Sequence, residues 1–294
     1  MNASPRVRGT AFSPPPSAHY ADEMQSIAVR IKNMLETTKR LKTIDVEVWG
    51  NLLRNSYRNF AQCCVITGDA GTARTYYRNA TRLENLLISI VRDNKYPNLK
   101  RTGALPRFHT GFVDGFPAAI LAHDEVLLQE FAKKQQPGDN PQSDLRFGWH
   151  ITNAIRLHIL GDEGQAKQQI LQAHRLEYFR LRWKGFSHAM MGIIARDPYL
   201  LNEGIDLRLR AHKTTEFKSI YFEYCEEATA LTRLAIRAGL RPNIQSPFIN
   251  KNLLTGQERS TEDSMDRLVT SLQEANDRKD NAFEFLRRLF KLKT

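Results

Sequence analysis

Apolar side chains recur every three to four residues through almost the whole chain, and this periodicity restricts its fold more than any other feature. From Tyr20 to the C-terminal end the spacing matches the period of amphipathic helices. The long segments are rich in Ala, Leu, Arg, Gln and Glu, which favour helices. No convincing run of alternating β-branched residues competes with this pattern. The sequence therefore predicts an all-α protein.

Proline and glycine indicate how the helices are grouped. Residues 1–19 contain a run of three prolines and predict a disordered N-terminal lead. Residues 20–294 read as a single all-α domain, and the polar loop at 136–142 is the best place for a sub-division. Towards the end of the chain we expect one helix over 215–239 and one or two more within 260–292.

One short sequence occurs twice. Residues 68–74 read Gly-Asp-Ala-Gly-Thr-Ala-Arg, and residues 161–167 read Gly-Asp-Glu-Gly-Gln-Ala-Lys. The glycine suits the end of one helix, the aspartate suits the cap of the next, and the alanine allows the two helices to approach closely. Hairpins of this kind build tetratricopeptide-like arrays, although two unrelated turns would use the same chemistry. We expect a multi-helix bundle or an irregular tetratricopeptide-like helical array.

The net charge of +11 is concentrated in the first third of the chain. Residues 1–110 hold 17 basic and 8 acidic side chains, whereas the remainder is close to neutral. A basic balance favours an acidic protein or a nucleic acid as partner. A chain that wraps nucleic acid would more often spread its basic residues along its length. We therefore do not expect nucleic acid to be the partner.

Arginines at four-residue spacing form a candidate docking surface. Arg74, Arg78 and Arg82 fall on one helix face, and Arg101 and Arg107 follow shortly after. Because a guanidinium can bind a carboxylate or phosphate with two hydrogen bonds, this face is a candidate surface for binding an anionic partner. The alternative is a solvated helix face with salt bridges to its neighbours.

The motifs of several enzyme and metal-site classes are missing from the sequence. It contains no glycine-rich phosphate loop, no His-Glu-x-x-His, no Gly-x-Ser-x-Gly and no Cys-x-x-Cys. The histidines form no pair at i,i+4 spacing, and we predict no metal, no cofactor and no catalysis. Glu226 lies on a polar stripe of its predicted helix, which we expect to face solvent.

Cysteine content and hydropathy indicate a compartment. The three cysteines are an odd number and two of them are adjacent, which favours a reducing compartment and thus the cytoplasm. Cys63 and Cys64 fall on an apolar helix side and are expected in the core. No apolar run approaches the roughly 18–20 residues of a membrane span, so no membrane association is expected.

A more specific expectation comes from a resemblance. Residues 197–202 (Asp-Pro-Tyr-Leu-Leu-Asn), His212, residues 224–240 and residues 246–248 (Ser-Pro-Phe) resemble the immunity protein 49 family. The Gly-Asp turn at 161–166 is also similar, and the resemblance covers about residues 45–250. Members of this family are helical antitoxins of bacterial polymorphic toxin systems. The resemblance implies a non-catalytic cytoplasmic protein that binds a co-produced toxin domain and neutralises it.

The predicted function is therefore an immunity protein that acts by steric occlusion. Its basic charge favours a toxin with an acidic face over a nuclease, because antitoxins of nucleases are commonly acidic. The alternatives are a tetratricopeptide-like scaffold or adaptor, and a nucleic-acid-binding helical protein that uses the basic first third. The candidate partner-binding residues are Arg74, Arg78, Arg82, Arg101, Arg107, His212 and Glu226.

Overall fold

The computed structural model describes residues 17–37, 45–100, 110–138, 145–177, 181–215, 221–255 and 264–277. Helices make up 78% of these residues, and no strand occurs among them. The all-α prediction is confirmed.

Twelve α-helices occur within the described ranges, together with a 3₁₀ turn at Leu181–Trp183. The helices are α1 (Ser17–Glu36), α2 (Val46–Ile66), α3 (Ala70–Arg92), α4 (Gly115–Leu121), α5 (Glu125–Lys134), α6 (Arg146–Ile159), α7 (Glu163–Glu177), α8 (Phe186–Ala195), α9 (Pro198–Thr215), α10 (Glu226–Arg237), α11 (Lys251–Thr255) and α12 (Ser264–Asp277).

Consecutive helices pack in pairs, and the most extensive contacts join α2 to α3, α6 to α7 and α8 to α9. The two repeated turns connect the first two pairs. Gly68 and Gly161 adopt φ values of 91° and 84°, which favour glycine. Asp69 then accepts a hydrogen bond from Thr72 N at 3.0 Å, and Asp162 caps α7 in the same way. The predicted chemistry of both turns is confirmed.

Small side chains bring the paired helices together. Ala73 and Ala166, the alanines of the repeated sequence, are fully buried. Between α8 and α9 the approach is closer still. A Cβ atom built on Gly192 would lie 2.7 Å from Leu201 Cα, and one on Gly204 would contact the backbone of α8 as closely. Glycine at these two positions allows the backbones of α8 and α9 to approach this closely.

The core consists of two clusters. The smaller one is formed by α1, α12 and one side of α2 and α3, and the larger one involves α2 to α11. Phe131 and Phe147 both belong to the larger cluster although they lie on opposite sides of the 136–142 loop. The core is therefore continuous across that loop. Cys63 and Cys64 are buried, as predicted.

One predicted helix near the C-terminal end differs from the structure. The helix predicted over 215–239 is wrong, because α9 ends at Thr215 and α10 begins only at Glu226. Between them, Phe222 O accepts a hydrogen bond from His212, and Cys225 N donates to Phe248 O at 2.8 Å. These tertiary bonds replace the helical ones that continuation would require.

The terminal predictions are covered in part. Helix α1 begins at Ser17, three residues before the predicted start, while residues 1–16 of the predicted lead lie outside the described ranges. Helix α12 falls within the predicted 260–292 segment, whose part beyond Asp277 is likewise not described. None of the helices in the described ranges combines the length and apolarity that crossing a membrane requires.

Candidate functional site

The arginine face of α3 reaches three different elements. Arg74 is 5% exposed and donates to the carbonyl oxygen of Asn252 in α11. His123 and Arg233 bond the next two carbonyl oxygens of the same short helix. Three side chains thus donate to consecutive carbonyl groups near the C-terminal end of α11, where the positive charges of Arg74 and Arg233 are favourable.

The other two arginines of this face lie nearer the surface. Arg78 Nε is 3.5 Å from a carboxylate oxygen of Asp124, the N-cap residue of α5. Arg82 donates to Asp266 of α12 at 2.9 Å, and both side chains remain partly exposed. Of the three arginines, Arg82 has the most exposed side chain. Its binding to a partner stays a prediction. Arg101 and Arg107 lie outside the described residues.

Glu226 lies at the centre of a buried ion pair. It is 3% exposed, which makes the expected solvent-facing position wrong. Arg58 Nε of α2 bonds both carboxylate oxygens, at 2.8 and 3.1 Å, and Gln62 donates at 3.0 Å. Arg58 also bonds Asp114 at 3.2 Å. Burial raises the pKa of Glu226, and the Arg58 guanidinium opposes that rise.

His212 is also buried, at 4% exposure. Its Nε2 donates to Phe222 O at 2.9 Å, and its ring is parallel to that of Phe222 with centroids 5.8 Å apart. The Phe248 ring packs against both, with its centroid 5.7 Å from that of His212 and 5.3 Å from that of Phe222. His212 and Glu226 thus lie in the interior and do not form a docking surface. Both residues contact segments outside their own helix, so the spacing of residues within that helix does not reveal their burial.

Two groups of metal-ligating side chains come together in the described ranges. One contains His174, Glu177 and His188, and the other contains His212, Cys225 and Glu227. In each group the ligand atoms lie within 4.8 Å of one another. A sequence search for histidine pairs at i,i+4 misses both. The signal for the first group is a His-x-x-Glu sequence at i,i+3, followed by a histidine in the next helix.

The second group is the less suitable for a cation. Burial raises the pKa of the Cys225 thiol to about 12, so the thiol stays protonated. Burial also acts to raise the pKa of Glu227, but the Arg208 guanidinium, a backbone hydrogen bond and the charge of Arg58 together outweigh it, and the pKa is lowered. Arg208 thus supplies positive charge beside both the Cys225 thiol and the Glu227 carboxylate, which disfavours a metal ion there.

Tyr199 is the most exposed of the large apolar side chains that the structure describes, at 76%. It lies at the start of α9, within residues 197–202. Asp197 fixes this end of the helix by accepting from Tyr199 N at 2.8 Å and from Leu200 N at 3.2 Å. Asn202 accepts from Asn243 N at 3.2 Å and so ties the loop after α10 to α9. Sequence reasoning missed Tyr199 as a candidate.

A second apolar surface lies between α1 and α2. Val48 and Leu52 are more than half exposed there, beside a cleft of about 500 Å³ that includes Met34 and Trp49.

Comparisons of the chain with protein-family models, curated proteins and solved structures give no match.

Proposed function

We propose that this protein is an immunity protein that binds a bacterial toxin domain in the cytoplasm and blocks it by steric occlusion. The observation that carries the proposal is Tyr199, an exposed aromatic side chain inside the segment that resembles immunity protein 49. Tyrosine is enriched among the few residues that dominate the energy of protein interfaces. Because its side chain is 76% exposed, covering it with a partner removes a large apolar area from water, which favours binding.

The backbone beneath Tyr199 is held in place before any partner arrives. Its helix starts on the Asp197 cap, and Gly192 allows α8 to contact Leu201 closely. A preorganised surface loses little conformational entropy on binding, which leaves more of the contact energy for affinity. This rigidity supports a role for the start of α9 as the centre of the interface.

Two exposed arginines near Tyr199 can bind an acidic partner, although the exposed Glu203 lies one turn further along α9. Arg196 is exposed three residues earlier, and Arg241 is exposed in the loop that Asn202 holds against α9. Arginine accompanies tyrosine in energetically important interface positions and binds carboxylates with two hydrogen bonds. These positions add to the basic balance of the whole chain, so we propose a toxin domain with an acidic face.

Co-production of this chain with candidate toxin domains encoded by neighbouring genes tests the proposal. We expect the wild-type protein to co-purify with that domain and to restore growth of cells that produce it. Tyr199→Ala should weaken binding by about 2 kcal/mol or more, roughly 30-fold, as truncation of a central aromatic side chain does. Val126→Ala is the matched control, because Val126 is an apolar side chain of α5 that is 70% exposed.

Two results would contradict the proposal at different levels. Absence of both binding and protection by the wild-type protein would reject the immunity function. Binding and protection that Tyr199→Ala leaves unchanged would place the interface elsewhere, first at the apolar surface of Val48 and Leu52. Circular dichroism of each variant shows whether the helical fold is retained.

A tetratricopeptide-like scaffold is the second candidate, favoured by the paired packing of α2 with α3, α6 with α7 and α8 with α9. A scaffold would bind a partner without protecting cells from a toxin, so the growth assay separates the two functions. A nucleic-acid-binding role receives less support, since Arg58 and Arg74 of the basic first third make contacts within the protein.

A further inference from the structure

Two histidines and a glutamate converge where α7 ends and α8 begins. His174 and Glu177 lie one turn apart on α7, and His188 is the third residue of α8. The rings of the two histidines are nearly perpendicular, with their centroids 4.7 Å apart. Glu177 is only 5% exposed, although it carries a carboxyl group. The three side chains thus form a compact group of nitrogen and oxygen ligands at the edge of the protein.

The Nδ1 atom of His188 has no hydrogen-bond partner in the described part of the chain, and solvent scarcely reaches it. The nearest carboxylate oxygen of Glu177 is 3.7 Å away, which is too far for a hydrogen bond. Two ligands of one tetrahedral zinc ion, each bound at about 2.1 Å, are separated by about 3.4 Å. The gap between these atoms is therefore close to the separation that a shared metal ion requires.

Ser187 holds the carboxylate in this position. Its backbone N–H donates to one oxygen of Glu177 at 3.1 Å, and its hydroxyl group donates to the other. The Oγ atom of Ser187 also lies 3.0 Å from Nδ1 of His174. Outer hydrogen bonds of this kind orient the ligands of metal sites in proteins. The fully buried Ser187 thus links two members of the group.

We propose that His174, Glu177 and His188 form a zinc site that joins the end of α7 to the start of α8. Two imidazoles and a carboxylate are a ligand set that zinc accepts, and they leave a fourth position for water or for a donor from a partner. The site does not depend on the immunity function.

Zinc binding to the untagged, metal-free full-length chain tests the proposal by calorimetry. We expect one Zn²⁺ per chain and a higher melting temperature with the metal. His174→Ala and His188→Ala should each weaken binding by more than 100-fold. Ser187→Ala, which removes only an outer hydrogen-bonding group, should weaken it by about 10–100-fold. His19→Ala is the matched control, because His19 is an exposed histidine of α1.

Glu177→Gln provides a second variant in case the histidine variants lose the fold. It retains an oxygen acceptor for Ser187 and removes the negative charge, so we expect a folded protein with weakened zinc binding. Circular dichroism monitors the fold, and the visible spectrum of the Co²⁺ form reports four-coordinate nitrogen and oxygen ligation. Wild-type protein that binds no stoichiometric zinc would overturn the proposal. So would zinc affinity that is the same in folded variants of all three ligands.

Discussion

Charged side chains in the interior of this protein are paired across large distances in sequence. Arg58 of α2 meets Glu226 of α10, and Arg54 meets Glu84, which is 3% exposed. Burial raises the pKa of both glutamates, and the arginines oppose that effect. Taking such charges out of water costs free energy that only a good partner offsets. Each pair therefore favours the arrangement of helices in which both charges meet, because other arrangements would leave a buried charge without a partner.

The first prediction concerns the Arg58–Glu226 pair. Arg58→Ala should lower the free energy of unfolding by about 3–5 kcal/mol, because it leaves a buried carboxylate without its cation. The double variant Arg58→Met with Glu226→Leu should lose much less, since both charges are replaced by apolar side chains of similar size. Urea denaturation at pH 7 measures both. An equal loss in the two variants would show that packing, and not charge, accounts for the stability of this contact.

The second prediction concerns His123. Burial, followed by the charges of Arg233 and Arg74, lowers its pKa from 6.5 to about 4. Between these two values the unfolded chain binds a proton that the folded chain does not. The stability that this histidine contributes is therefore present above pH 6.5 and is lost as the pH falls towards 4.

His123→Asn should remove this part of the pH dependence. Asparagine tolerates the left-handed backbone at this position, where φ is 57°. Between pH 7 and 4.5 the wild-type protein should lose about 1–2 kcal/mol more stability than the variant, allowing for screening at a partly exposed ring. Thermal or urea denaturation at several pH values measures the difference. Parallel pH profiles would show that another group is responsible.

The sequence indicates which side chains share a helix face, but it does not indicate what they meet. The four-residue spacing of Arg74, Arg78 and Arg82 correctly places them together on α3. Their partners, however, include Asn252 and Asp266, more than 170 residues away in the chain. Only the tertiary fold decides that Arg74 is buried against a carbonyl group while Arg82 stays near the surface. For the same reason, the burial of Glu226 and His212 is not visible in their local patterns.

At the scale of the elements, the hairpin turns are the best-predicted part of the molecule. Glycine and aspartate act locally, so the sequence alone identifies Gly68 and Asp69 as the end of one helix and the cap of the next. The region between α9 and α10 is different, because residues 216–225 contain neither the glycine nor the proline that would mark a break in the helix. There the hydrogen bonds from His212 to Phe222 and from Cys225 to Phe248 decide the structure, and these depend on distant segments.

The third prediction compares two glycines near these turns. Gly68→Ala should destabilise the protein by about 1–2 kcal/mol, because a Cβ atom disfavours its φ of 91° although no atom lies within 4 Å. Gly164→Ala in the first turn of α7 should instead stabilise the protein by about 0.4–1 kcal/mol, since its backbone suits alanine. Denaturation midpoints decide the matter. Stability changes of the same sign in the two variants would mean that backbone conformation does not govern the effect of alanine at these positions.

At the scale of the whole molecule, the basic charge is divided between internal and external roles. Arg58 and Arg74 satisfy groups within the protein, whereas Arg82, Arg196 and Arg241 keep part or all of their side chains in solvent. Exposed charges act over about 10 Å at an ionic strength of 0.1 M and are screened beyond that distance. Under the proposed function, they attract an acidic toxin domain before contact, while Tyr199 acts after contact.

The last prediction separates these two roles by kinetics. Raising the salt concentration from about 50 mM to about 500 mM should slow association with the toxin domain, because screening weakens long-range attraction, and should change dissociation by less than about twofold. Arg82→Glu should likewise slow association. Tyr199→Ala should mainly accelerate dissociation, because the aromatic contact exists only in the complex. Surface plasmon resonance measures both rates. Association that is insensitive to salt in the wild-type protein would contradict an acidic toxin face, even if Tyr199→Ala still weakened the complex.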